Sequence, residues 1–267
     1  MADQPEIVDI EIRGHTVRAA LKTKLDRAFW TRWLANGWEQ ETFAFVEDNV
    51  QDGTVFIDIG AWIGPISLYA AALGARVISL EPDPVAFSRL TENVQANSGL
   101  PGSIEPIHTA FGAHPGKLRI FGNRKGFGTS GSSSIGLSHR WITVPVTTPE
   151  DLVEKAGSPA SAVIKVDIEA HEYFCANALA QLRRELGATM QLSLHPALLS
   201  KSMWWRRITG SADHEALRRT NEVLREFNDC ELSLPHLPYA NVDDAVRASV
   251  FPEDGKGFDL SVLLHPR

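Results

Sequence analysis

The sequence predicts an α/β chain: a mostly parallel sheet of seven strands with helices on both faces, preceded by an N-terminal cap made of a hairpin and helices. Three observations predict it. An apolar, β-branched run at 55–59 ends in the turn Asp58-x-Gly60-x-x-x-Gly64. A second run at 76–80 ends in the acid Glu81. From residue 54 onward, short buried runs alternate with segments of helical period, as in strands joined by crossover helices.

Residues 1–50 read as the cap and 51–267 as the main domain. Within the cap, 7–12 and 16–21 alternate in part around Arg13-Gly14-His15, a hairpin pattern. A helical stretch follows over 25–50, with a break expected at Asn36-Gly37. It carries Trp30, Trp33 and Trp38, which either pack on the core or form a lid over an acceptor.

The run at 55–59 suits a buried parallel strand. Gly60 and Gly64 then bracket a tight strand-to-helix turn, and Pro65 opens a helix over 65–73. Its N-terminus suits a carboxylate. A dinucleotide fingerprint needs a third glycine, Gly-x-Gly-x-x-Gly, which is missing here. The spacing therefore favours S-adenosylmethionine, whose methionine end carries a carboxylate. Glu81, about twenty residues beyond the glycine loop, is placed to accept hydrogen bonds from ribose hydroxyls. Pro82 and Pro84 end this strand and start a helix over 85–97.

A third strand is expected over 104–110, then an inserted hairpin at 117–121 and 141–146. The Gly/Ser-rich segment 126–136 between its arms is a surface connection or a lid that orders over substrate. Further strands fall at 162–168, 189–194, 230–234 and 260–264, the last two forming a closing hairpin. A helix after residue 172 shows Phe174, Ala178, Leu182 and Leu186 on one face, and another covers 213–227.

The chain has 267 residues, is 43% hydrophobic and has a formal net charge of −7. The size suits one large domain with an appendage. The acidity argues against nucleic acid as a partner. Two cysteines suit a reducing compartment. The N-terminus has no signal-peptide pattern and no run is long enough to span a membrane, so a soluble cytoplasmic protein is expected. A homodimer is one option for its assembly.

In open α/β sheets ligands bind beyond the carboxyl ends of the strands. Asp58, Glu81, Asp167, Glu169 and His195 all fall at or near that edge, the first two suiting cofactor and the last three chemistry. Methyl transfer to a hydroxyl requires alignment and removal of a proton. His195 or Asp167 is the expected base, with Glu169 beside them. Asp167, Glu169, His171 and His195 also form a candidate ligand set for a divalent ion, although no metal is expected.

Three segments, Phe56 to Pro65, Leu80-Glu81-Pro82-Asp83 and Ile164-Lys-Val-Asp-Ile-Glu-Ala-His-Glu172, together resemble the FkbM family of S-adenosylmethionine-dependent methyltransferases. The likeness spans about residues 50–200. Ala170 stands where that family usually has glycine, and His171 is unusual there. The resemblance implies a Rossmann-like class I methyltransferase fold and O-methylation of a sugar, polyketide or other secondary metabolite. It implies a cofactor site drawn from Asp58, Gly60, Ala61, Trp62, Gly64, Glu81, Pro82, Asp83, Ala110, Phe111 and Asp167, with S-adenosylhomocysteine as product. Competing readings are a peptide or protein methyltransferase, a metal-assisted O-methyltransferase, a nucleotide-dependent oxidoreductase and a degenerate cofactor-binding scaffold.

Overall fold

The structure, a computed structural model, describes residues 5–122, 127–129, 131–135, 139–203, 211–234, 241–251 and 259–267. The chain begins with the antiparallel hairpin β1 (Glu6–Ile12) and β2 (His15–Leu21), turning at Arg13 and Gly14. The expected long helix that follows is three pieces. They are α1 (Lys24–Ala28), a π-helical turn (Phe29–Trp33) and α2 (Gln40–Asn49), parted by Gly37 at φ +93° and Glu39 at φ +45°. A glycine tolerates that backbone and explains why the break falls there.

From β3 (Val55–Ile59) the order is α3 (Pro65–Ala72), β4 (Arg76–Leu80), α4 (Pro84–Ala96) and β5 (Ser103–Ile107). Then come β6 (Ala110–Phe111), β7 (Gly116–Phe121), β8 (Trp141–Thr147), α5 (Pro149–Ala156), β9 (Ala162–Val166) and α6 (Glu172–Leu186). The chain closes with β10 (Thr189–Leu194), α7 (Pro196–Ser202), α8 (Ala212–Arg225), β11 (Cys230–Ser233), α9 (Val242–Val250) and β12 (Leu260–Pro266).

The central sheet has seven strands in the order β11-β12-β10-β9-β3-β4-β5. Strand β12 is antiparallel to both neighbours, and the β3, β4, β5, β9 and β10 pairings are parallel. The expected closing hairpin is therefore present. The expected third strand is shorter: it ends at Ile107, and Ala110–Phe111 joins a separate three-stranded sheet, β6-β8-β7. The Thr109 hydroxyl explains the departure, since it bonds the Pro145 carbonyl across to β8. Helix α9 lies in a stretch that reads as turn-rich; its Ala245 and Val246 are fully buried.

Residues of β3 and β9 are buried throughout, as strands covered on both faces require. One apolar cluster joins the sheet to α5, α6, α8 and α9. A second joins Phe56, Tyr69, Ala71 and Val77 to Val17 of β2, Phe29, Trp30 and Phe43, so the N-terminal segment packs directly against α3. Trp30 is a core residue, Trp33 is exposed, and Trp38 is half-buried. Asn93 of α4 is the polar rivet of this contact. Its side chain accepts from the Ala20 N–H at 2.8 Å and donates to the Ile63 carbonyl at 2.8 Å.

Replacing Asn93 with Ala leaves a buried donor and a buried acceptor without partners, an expected loss of about 2–4 kcal/mol in urea unfolding.

Candidate active site

The register pairs Ile59 with both Leu80 and Val166. The residues that follow each strand, Gly60, Glu81 and Asp167, are thus set side by side at one edge. From β3 the chain builds outward to β4 and β5, then crosses to β9 and β10 on the other side. This reversal opens the crevice where open α/β sheets hold ligands. A cavity of about 230 Å³ lies there, walled by Gly60, Ala61, Trp62, Glu81, Pro82, Ala110, Phe111, Asp167, Glu169, His171 and His195. Trp38, Glu39, Lys165 and Asp259 also line it.

Gly60 has φ +89°, and a Cβ there would meet the Asp167 carbonyl oxygen at 1.9 Å. Glycine is required because the loops after β3 and β9 touch. Trp62, at φ +51°, donates its N–H to Glu81 Oε2 at 2.7 Å, and the Asp83 N–H donates to Oε1 at 2.7 Å. Each oxygen of Glu81 keeps acceptor capacity towards the cavity. Burial, helped by the nearby Asp83 charge, pushes Glu81 up to about 8, against the pull of the two amides.

Several expected cofactor ligands have other work. Asp58 is fully buried beneath the loop, not on the wall: it accepts from the Ser67 hydroxyl at 2.6 Å and ion-pairs Lys165 at 3.2 Å. Gly64 is the N-cap of α3 at φ +92°, behind the cavity lining. Asp83 caps α4 through Val85 and Ala86, while its second oxygen accepts from the Gly128 N–H and the Ser132 hydroxyl at 2.6 Å each. Asp83 thereby fastens the Gly/Ser segment over the crevice. The remainder of that segment's reading, at 126, 130 and 136, lies outside the described residues.

His171 serves the same segment. Its Nε2 faces the Phe111 carbonyl at 3.1 Å, so the proton sits there, and Nδ1 accepts from the Ser134 hydroxyl at 2.8 Å. Burial lowers its pKa, which favours this neutral form. His171 is absent from the group that shares a potential metal point, Asp167, Glu169 and His195, whose ligand atoms lie within 4.8 Å of one another.

His195 sits between two carboxylates: Nδ1 is 2.8 Å from Glu172 Oε1 and Nε2 is 3.2 Å from Asp167 Oδ1. Glu172 also accepts the His195 backbone N–H at 3.0 Å. Burial opposes the charge, but Glu172 and Asp167 raise the imidazole well above its usual range. Both ring nitrogens of His195 already face carboxylates, so neither is free to act as the expected base in this arrangement. Asp167 is its counterpart. Burial alone would raise this carboxyl, but Lys165 and His195 hold it down to about 2. Glu169 differs: burial and the Asp167, Asp259 and Glu172 charges push it up to about 8, although His195 opposes them. It and Ala170 hold left-handed backbones, φ +52° and +69°. Ala170 thus holds a backbone that glycine adopts more readily than alanine. Lys165, within a quoted motif but given no role there, donates to the Gly60 carbonyl at 2.8 Å. Asp58, Asp167 and Glu39 keep it protonated against the effect of burial. Glu39 carries no periodic or motif signal that would have found it.

The strand order with one reversed strand, a glycine loop after β3 and an acid after β4 define a Rossmann-like methyltransferase fold. No protein-family model matches the chain. It is similar to the hexuronic acid methyltransferase AglP of Haloferax volcanii, with 26% identity over 162 residues, 61% of this chain and 64% of that protein. The matched stretch is thus less than two thirds of the relative. Among solved structures it is similar to an rRNA methylase from Streptococcus thermophilus, 10% identical with a TM-score of 0.42, covering 85% of this chain and 94% of that one. It is similar to a tRNA m1G37 methyltransferase of M. jannaschii, 9% identical with a TM-score of 0.43, covering 98% and 56%. A Streptococcus mutans structure holding S-adenosylhomocysteine is 8% identical with a TM-score of 0.45, covering 85% and 97%.

The expected exclusion of nucleic acid as a partner is withdrawn, because RNA methylases are among these similar structures. A net charge averaged over a chain does not report the charge of the one face that meets a substrate. Among the described residues no helix is long and apolar enough to cross a membrane.

Glu39, Glu81, Glu169 and His195 all have folded pKa values above their ordinary ones. The stability tied to each is present below its ordinary pKa and lost as pH rises towards the folded value, about 7 for Glu39 and about 8 for Glu81 and Glu169. Asp167, held low, acts only below its ordinary range. The thermal midpoint of the ligand-free protein is expected to fall steadily from about pH 5 to about pH 9, measured by scanning fluorimetry.

Proposed function

We propose that the protein is an S-adenosylmethionine-dependent methyltransferase of the FkbM kind that O-methylates a hydroxyl on a small molecule, a sugar first among candidates. The observation that carries this is the convergence of Gly60, Glu81, Asp167 and Glu169 on one cavity at the sheet reversal. The sugar preference leans on the likeness to a hexuronic acid methyltransferase. The residues fit the cofactor: Glu81 offers acceptor oxygens for a ribose, and on the same wall the buried Trp62 indole N–H has no acceptor among the described residues. Pro82, Ala110 and Phe111 supply apolar surface suited to a base. When bound, S-adenosylmethionine supplies a methyl group already activated by a sulfonium charge.

The chain's part is to align the acceptor and take its proton. Glu169 is the base this geometry favours. It faces the cavity with a pKa of about 8, close to the working range, where a proton acceptor is most effective. Asp167, kept ionised by Lys165 and His195, stabilises positive charge nearby without itself taking a proton. Asp167, Glu169 and Asp259 on this side favour a hydroxyl over a carboxylate as acceptor. Asp167, Glu169 and His195 lie close enough to share a metal point, and no step is routed through one.

Incubation with S-adenosylmethionine and a panel of sugars, uronic acids and RNA, read by mass spectrometry, tests the proposal. Methyl transfer to a sugar hydroxyl is expected, and transfer to RNA alone would overturn the small-molecule reading. Glu169→Gln should lower kcat by about 10²–10⁴-fold and abolish the rise in rate through about pH 8. Glu81→Ala should weaken S-adenosylmethionine binding by about 1–3 kcal/mol in calorimetry.

A further inference from the structure

The N-terminal segment sends a carboxylate into the cavity. Glu39 stands before α2 with φ +45° and ψ +42°, a backbone that costs a side chain of this size and persists only where its surroundings hold it. Its carboxylate does not cap α2. It lies instead on the cavity wall with Trp38, Trp62 and the loop at Gly60. The charges that act on it are Asp167, Lys165 and Asp58. Lys165 is committed to Asp58 and the Gly60 carbonyl, and Asp167 to His195. Among the described residues Glu39 has no ion pair of its own. Burial, then the Asp167 charge, push it up to about 7, against Lys165 and the Thr42 hydroxyl. A cation placed beside it would relieve both effects.

We propose that Glu39 binds the α-ammonium group at the amino-acid end of S-adenosylmethionine. This rests on the cofactor reading above. That end of the cofactor is a zwitterion. Its carboxylate suits the first turn of α3, where free N–H groups and the helix dipole favour an anion. The ammonium is one carbon away, so it must meet acceptors on the same wall, beside Gly60. Among the described residues, Glu39 is an acid on that wall that forms no ion pair. Charge-assisted bonds of this kind are among the strongest available to a site. The N-terminal segment is thereby part of the cofactor site, and Trp38 and Glu39 join Trp62 in closing its amino-acid end.

Calorimetric titration with S-adenosylhomocysteine and with methylthioadenosine, which lacks the amino-acid end, tests this. Glu39→Gln should weaken S-adenosylhomocysteine about 10–100-fold and leave methylthioadenosine unchanged. Glu39→Gly, which suits the left-handed backbone, should show the same selective loss with no fall in thermal stability. Equal weakening of both ligands, or unchanged S-adenosylhomocysteine affinity in both variants, would overturn the assignment alone. Binding of neither ligand by the wild-type protein would overturn the methyltransferase reading itself, and the assignment with it.

Discussion

The Lys165 ammonium, buried between β3 and β9, is the interaction on which the site depends. The register sets Lys165 opposite Asp58 across the two strands that flank the crevice. One side chain then does three things: it neutralises Asp58, holds the Gly60 carbonyl and keeps Asp167 ionised. Desolvating so many charges is costly, and a pair of this type adds little net stability against an apolar substitute. Removing only one partner is another matter, since it strands a buried charge at a cost of about 3–5 kcal/mol. The pair is better understood as fixing geometry. It ties the glycine loop to the strand that leads to Asp167 and Glu169, so the two sides of the crevice keep one spacing.

Around that cation the carboxylates divide into two kinds. Asp58, Asp167 and Glu172 each have a cation or hydroxyl at hydrogen-bond or ion-pair distance. Among the described residues, Glu39, Glu81 and Glu169 form no ion pair, and they are driven towards the neutral form. Acids pushed apart in this way can take different roles at one pH. The first kind builds the scaffold. The second kind faces the cavity and gains most from a cationic ligand, which favours their ionised forms. A sulfonium donor with an ammonium tail is such a ligand, and the arrangement makes cofactor binding and acid ionisation mutually reinforcing.

Much of the frame was legible because it rests on local rules. The Gly60–Gly64 turn follows from a buried strand meeting a helix with Pro65 at its first position. Glu81 was legible from its place at the end of the next apolar run, and the closing β11–β12 hairpin from two short apolar segments. Asp83 and Asp58 were misread because proximity in sequence to the glycine loop does not say which way a carboxylate points. Asp83 meets Gly128 and Ser132, 45 and 49 residues away. The break after Ile107 was hidden because Thr109 and Ala110 continue the apolar pattern while bonding a different sheet.

The sequence by itself determined the strands of the main sheet, the glycine turn and the acid after the second strand of that sheet. Each depends on periodicity, turn chemistry or spacing within a few tens of residues. Only the tertiary structure decided the protonation and duty of the acids and of His195. Those depend on burial and on partners distant in the chain: Glu172 beside His195, Lys165 beside Asp58, Glu39 across from Asp167. A pKa is a property of the assembled surroundings, and no spacing rule carries it.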